Sequence, residues 1–81
     1  MDILVVDDDR DIADIIGYSL RKEGHRPILA YSGEEALALA ERSRPDLVVL
    51  DVMLPGLSGF DVCRKLRERG PVPVILLTAR G

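Results

Sequence analysis

The sequence predicts a doubly wound α/β fold in the order β-α-β-α-β-α-β, built on a parallel sheet. Three observations predict it. Four short apolar runs recur along the 81 residues: Ile3-Leu4-Val5-Val6, Ile28-Leu29-Ala30, Leu47-Val48-Val49-Leu50 and Val74-Ile75-Leu76-Leu77. None of them alternates with polar residues, the pattern expected of strands buried on both faces. Between the runs lie three stretches with helical spacing, and strands that alternate with helices imply right-handed crossovers and parallel pairing.

Each element has its own signals. The first helix is expected over residues 9–23. Ile12, Ile15, Ile16 and Leu20 recur at helical spacing and form the expected buried stripe. Asp9 and Asp11 stand at its start and Arg21 and Lys22 at its end, the charge order that suits the helix dipole; Gly24 stops it. Pro27 opens the second strand run, a position where proline is tolerated. The second helix is expected over residues 33–42. Ser32 and Glu35 read as a capping box, with Ala36, Leu37, Leu39 and Ala40 on the buried side. The third is expected over residues 59–69, started by Ser58 and Asp61 and ended by Gly70, with Phe60, Cys63 and Leu66 facing inward. Pro71 and Pro73 then precede the fourth strand. Nothing in this order suggests more than a single domain over residues 1–81.

Composition narrows the function. The chain has 11 Lys+Arg against 14 Asp+Glu, a net charge of −3. That balance argues against a nucleic-acid grip, which needs a basic stripe. The apolar fraction of 47% supports a real core. One cysteine excludes an internal disulfide and a thiolate metal cluster, and one histidine excludes two-histidine metal chemistry. Apolar runs reach only about five residues, against the roughly 20 needed to span a bilayer. No basic start with an apolar core precedes the first strand, so a cytoplasmic location is expected. Cys63 is expected to be a small inward-facing residue, His25 a solvated loop residue, and the basic outer face of the third helix (Arg64, Lys65, Arg67, Arg69) a solvated surface.

In doubly wound sheets, ligands bind outside the carboxyl ends of the strands. Three strands deliver oxygen-bearing residues there: the first ends in Asp7-Asp8-Asp9, the third in Asp51 and the fourth in Thr78. Acidic residues after strands are common as helix caps, and Asp9 and Asp11 are read that way. The conjunction of Asp7, Asp8, Asp51 and Thr78 at one edge is different. Closely spaced carboxylates repel unless neutralised, and Mg²⁺, which takes oxygen ligands and keeps waters, is the natural neutraliser. A carboxylate beside Mg²⁺ is also a nucleophile toward phosphorus. Competing motifs are absent from the sequence: there is no G-x-x-x-x-G-K-[ST] loop, no G-x-G-x-x-G turn and no G-x-S-x-G elbow.

These residues resemble a known family. The segments Ile3-Leu-Val-Val-Asp-Asp-Asp9, Pro45-Asp-Leu-Val-Val-Leu-Asp-Val-Met-Leu-Pro-Gly56, Ser58-Gly-Phe-Asp61 and Pro73-Val-Ile-Leu-Leu-Thr-Ala79 are similar to the receiver domain of two-component response regulators, and the wording from Met53 to Phe60 is similar to the OmpR/PhoB branch. The resemblance implies a flavodoxin-like sheet of strand order 2-1-3-4-5. It implies that Asp51 accepts a phosphoryl group from a sensor histidine kinase. Asp8 would ligate Mg²⁺ directly and Asp7 mainly through water, with the backbone carbonyl of Met53 as a further ligand. Thr78 would bond the phosphoryl group, beside the small Ala79, and Pro55-Gly56 would shape the loop next to Asp51. The outer face of the first helix (Arg10, Asp14, Arg21) would meet the kinase. DNA would be reached only through a separate effector domain.

The sequence departs from the family at its end. A family receiver continues through a last helix, strand and helix, carrying a lysine that pairs with the phosphate and an aromatic switch residue. Here the sequence stops at Gly81, and Lys22 and Lys65 stand at no strand end. A truncated receiver of this kind is expected to be impaired in phosphorylation and to self-associate through the exposed fourth strand or an uncovered sheet face. Two other readings stay open. A fragment kept for assembly would have the pocket without the phosphotransfer. An Asp-nucleophile phosphatase of the haloacid-dehalogenase type would want a second Asp at position 53, where Met53 stands.

Overall fold

The structure, a computed structural model, describes residues 1–77. The elements follow in the expected order: β1 (Asp2–Val6), α1 (Arg10–Lys22), β2 (Arg26–Ala30), α2 (Gly33–Ser43), β3 (Leu47–Asp51), α3 (Gly59–Glu68) and β4 (Val74–Leu77). All strand pairs are parallel, in the order β2-β1-β3-β4. Stepping from β1 outward to β2 and back across to β3 reverses the winding, and the crevice at that reversal opens between the carboxyl ends of β1 and β3.

Each helix start is set by a side chain that takes up orphan backbone donors. Asp9 accepts from the N–H groups of Asp11 and Ile12. The Ser32 hydroxyl accepts from the Glu35 N–H, and the Glu35 carboxylate reaches back to accept from Tyr31 at 2.7 Å, one residue ahead of the cap. The Ser58 hydroxyl accepts from the Asp61 N–H and donates to the Asp61 carboxylate. At the other ends, Gly24 adopts φ 87°, the left-handed turn that closes α1. Arg44 adopts φ 49° after α2, a conformation rare outside glycine, and Pro45 prevents any continuation.

The main core lies between the sheet and the α2/α3 pair. Leu4, Val6, Val48 and Leu50 pack there with Ala36, Leu54, Val62 and Leu66. On the opposite face α1 covers β1 and β2. Among the described residues β1 is the strand buried almost throughout, from Ile3 to Val6. Val49 is half-buried and Ile75 is 49% exposed, so continuous burial did not extend to β3 and β4.

Two expected inward faces turn out rotated. On α1 the buried residues are Ala13 and Gly17, with Ile16 and Leu20 half-buried; Ile12 and Ile15 are 44% and 65% exposed. The seam follows the small residues. A Cβ at Gly17 would stand only 3.3 Å from the Leu29 side chain, so the helix backbone itself lies close against β2. On α3 the buried positions are Gly59, Val62 and Leu66, and Phe60 is 64% exposed. Gly59 seats the first turn against β3, which leaves Phe60, one residue around the helix, pointing away. Cys63 is half-buried, and His25 is half-buried with Nδ1 3.2 Å from the terminal amine.

Candidate functional site

Register alone brings two of the acids together. Val6 pairs with Leu50 in the β1–β3 ladder, so the next residue on each strand is Asp7 and Asp51. Parallel neighbours lie about 4.8 Å apart. Asp8 follows directly, and carboxylate oxygens of Asp7, Asp8 and Asp51 all lie within 4.8 Å of one another. Asp7 is buried, Asp51 half-buried and Asp8 exposed.

Backbone bonds hold this edge. The Asp7 N–H donates to the Ala30 carbonyl, extending the β1–β2 ladder by one residue. The Val52 N–H donates to the Leu77 carbonyl, extending β3 against β4. The Asp7 carboxylate accepts from the Asp9 N–H at 2.9 Å, and the Asp51 carboxylate accepts from the Met53 N–H at 3.0 Å. Leu54, buried in the core, anchors the loop beyond, and Gly56 turns it at φ 77°. Of the expected Pro55-Gly56 pair, Gly56 thus turns the loop beyond Asp51.

The electrostatics are those of a site short of positive charge. Burial pushes the Asp7 carboxyl above the ordinary carboxylate range. The Asp9 N–H opposes this, while the charges of Asp51, Asp8 and Asp9 push the same way. An all-oxygen, all-acid donor set with one member disfavoured as an anion fits a hard dication such as Mg²⁺. Asp9 caps α1 and Asp11 lies in its first turn, as expected. Thr78 lies outside the described residues, as does Ala79.

Gly59 was read from the sequence as part of a helix start and of the Ser58–Asp61 segment that carries the resemblance, with no role of its own. The structure places it directly against the backbone of Asp51 and Val52. A signal was present: both Ser32-Gly33 and Ser58-Gly59 put glycine at the first helical position, where glycine has no advantage except its missing side chain.

Among the described residues, a four-stranded parallel sheet in the order β2-β1-β3-β4 with three acids at the β1/β3 crevice defines the class of doubly wound α/β domains. Within that class, residues 3–81 match the response regulator receiver domain model, and the chain belongs to that family, the receiver domains of two-component response regulators. It is 51% identical over 79 residues to the transcriptional regulatory protein AfsQ1 of Streptomyces coelicolor, covering 98% of this chain and 35% of that protein. The chain thus spans about a third of the curated relative's length. Among solved structures it is similar to TrrA from Thermotoga maritima in complex with Mg(2+)-BeF (TM-score 0.93, 40% identity, 99% of this chain and 70% of that one). It is also similar to the BeF3-activated N-terminal receiver domain of RstA from Klebsiella pneumoniae (TM-score 0.93, 36% identity, 100% and 69%). Receivers are in general signalling modules and not enzymes. No helix among the described residues is long and apolar enough to cross a membrane.

Proposed function

We propose that residues 1–81 act as one phosphoacceptor unit in which Asp51 takes a phosphoryl group from the phosphohistidine of a sensor histidine kinase. A carboxylate oxygen of Asp51 attacks phosphorus, the P–N bond breaks, and the imidazole leaves and takes up a proton. The observation that carries this reading is the approach of the Asp7, Asp8 and Asp51 carboxylates to within 4.8 Å. Asp7, Asp8, Asp51 and the Met53 carbonyl would hold Mg²⁺, and Thr78 would contact the phosphoryl oxygens. When bound, the cation supplies charge neutralisation for the acids and for the transferring group. The Mg(2+)-BeF complex of the related TrrA supports this assignment.

Each residue of the chain has a separate task. The Met53 N–H fixes one oxygen of Asp51, leaving the other to attack. Asp7, held by the Asp9 N–H, is the buried wall of the cradle, and Asp8 is its solvent-facing member. The module is a stoichiometric acceptor without turnover. By analogy with AfsQ1, a regulator of transcription, its phosphorylation would control an effector domain that binds DNA, in the cytoplasm.

Incubation with acetyl phosphate and Mg²⁺, followed by intact-mass measurement, tests the reading. The expected adduct is about 80 Da, one phosphoryl group, formed in the wild type and lost in Asp51→Ala. An adduct that persists in Asp51→Ala overturns the assignment.

A further inference from the structure

We propose that Gly59 is a positioning residue for the phosphoacceptor: its missing Cβ lets the first turn of α3 close onto the backbone of Asp51 and Val52, and so fixes where the Asp51 carboxylate stands. The inference rests on the reading of Asp51 above and adds a determinant outside the acidic cluster. A Cβ on Gly59 would run into the Asp51 carbonyl oxygen and would stand 2.5 Å from Val52 Cα and 3.0 Å from the Asp51 carbonyl carbon. Gly59 has no positive φ, so the requirement is for room and not for conformation. The obstructing atoms are backbone, and they are tied down. Asp51 pairs with Leu77 in the ladder, the Val52 N–H donates to the Leu77 carbonyl, and the Gly59 N–H donates to the Val52 carbonyl at 3.1 Å. They do not swing aside as a side-chain tip does. The Met53 N–H that holds the Asp51 carboxylate lies one residue beyond this seat, so a shift of residues 51–52 moves both donor and acceptor.

Gly33 provides an internal contrast. It opens α2 after Ser32 as Gly59 opens α3 after Ser58, but its added Cβ would meet the side chains of Val62 and Leu57. Of the two Ser-Gly starts, only the one at α3 abuts the strand that carries the acceptor.

The test compares the intact wild-type protein with Gly59→Ala and with Leu66→Ala, a core truncation about two turns further along the same helix. Initial phosphorylation rates are measured against acetyl phosphate concentration with Mg²⁺ and normalised to folded protein. The Met53 amide is followed by NMR without phosphodonor. Gly59→Ala is expected to lower the maximal rate by about 10- to 100-fold, as a small misplacement of a reacting group does, and to shift the Met53 resonance. Leu66→Ala is expected to lose stability while its rate and its Met53 amide stay as in the wild type. A wild-type rate with an unmoved Met53 amide in Gly59→Ala overturns the proposal, as does an equal loss of rate in both variants. Should Gly59→Ala fail to fold, amide exchange in the wild type decides. Protection of the Gly59 N–H equal to that of β3 supports the seat, and exchange as fast as an open loop refutes it. An Asp51→Asn protein run in parallel separates the two readings. Phosphorylation that survives in it removes the phosphoacceptor assignment itself, whatever Gly59→Ala does.

Discussion

Burial works against the charge of Asp7, and the consequence for stability has a definite sign. In the unfolded chain this carboxyl ionises near 3.8; in the fold its pKa is raised, first by burial and then by neighbouring carboxylates. Between those two values the native state holds the proton more tightly than the unfolded state. Stability therefore falls as pH rises through that window, and the full penalty stands above it. Asp7→Asn keeps an oxygen to accept from Asp9 and removes the penalty. Its melting temperature in EDTA is expected to exceed that of the wild type by several degrees at neutral pH, with the gap closing below pH 3.8. Thermal melts across that range check it, and an unchanged gap at low pH contradicts the burial argument. The same cluster makes a prediction for metal. Mg²⁺ at 100 times its Kd is expected to stabilise the wild type by about 2.7 kcal/mol. EDTA reverses the effect, and Asp8→Ala loses most of it. A wild-type melt indifferent to millimolar Mg²⁺ removes the metal assignment.

Helix seating depends on glycines whose substitution has opposite expected outcomes. At Gly17, inside α1, alanine gains about 1 kcal/mol in helix propensity. The tight contact of its Cβ is with the tip of Leu29 at 3.3 Å, a flexible group that yields by a few tenths of an ångström, and Pro27 Cβ at 3.8 Å is ordinary van der Waals contact. Gly17→Ala is therefore expected to stabilise. At Gly33 the same substitution puts a Cβ 2.8 Å from Val62 Cγ2 and 3.0 Å from Leu57 Cβ. Val62 is fully buried and Leu57 is packed against the core, so neither moves without disturbing α3. Overpacking of this kind costs about 1–3 kcal/mol and outweighs the propensity gain. Urea unfolding of both variants is the measurement, and stabilisation by Gly33→Ala contradicts the α2/α3 geometry. The exposed Ile12, Ile15 and Phe60 belong to the same account. Helices lie against the sheet along their smallest residues, so the largest apolar side chains do not mark the inward face.

Across the whole molecule, apolar cover is uneven. β1, in the centre, is buried almost throughout, whereas Ile75 and Leu76 of β4 are 49% and 37% exposed. Among the described residues β4 pairs only with β3, which leaves a row of unpaired N–H and C=O groups along its outer side. A polypeptide of these 81 residues taken alone is accordingly expected to associate, through β4 or through the sheet face that α1 leaves open. Sedimentation velocity at micromolar concentration should report species larger than a monomer, and Ile75→Lys should shift them toward the monomer. A wild-type chain that stays monomeric at tens of micromolar contradicts this expectation.

The sequence by itself determined the element order, the parallel sheet and the acids at its carboxyl edge. Continuous apolar runs, helical spacing and Ser or Asp caps are local signals, and caps act within three residues of where they stand. The run Asp7-Asp8 and the strand-final Asp51 were legible for the same reason, because they end runs whose type was already evident. Their distances were not legible, since Asp7 and Asp51 become neighbours only through the β1–β3 register. Tertiary structure alone decided three further matters: which side of α1 and α3 faces in, how far burial reaches toward β4, and why residue 59 must lack a side chain. Each depends on how closely one backbone can approach another. That distance is set by atoms far apart in the chain and leaves no periodic trace in it.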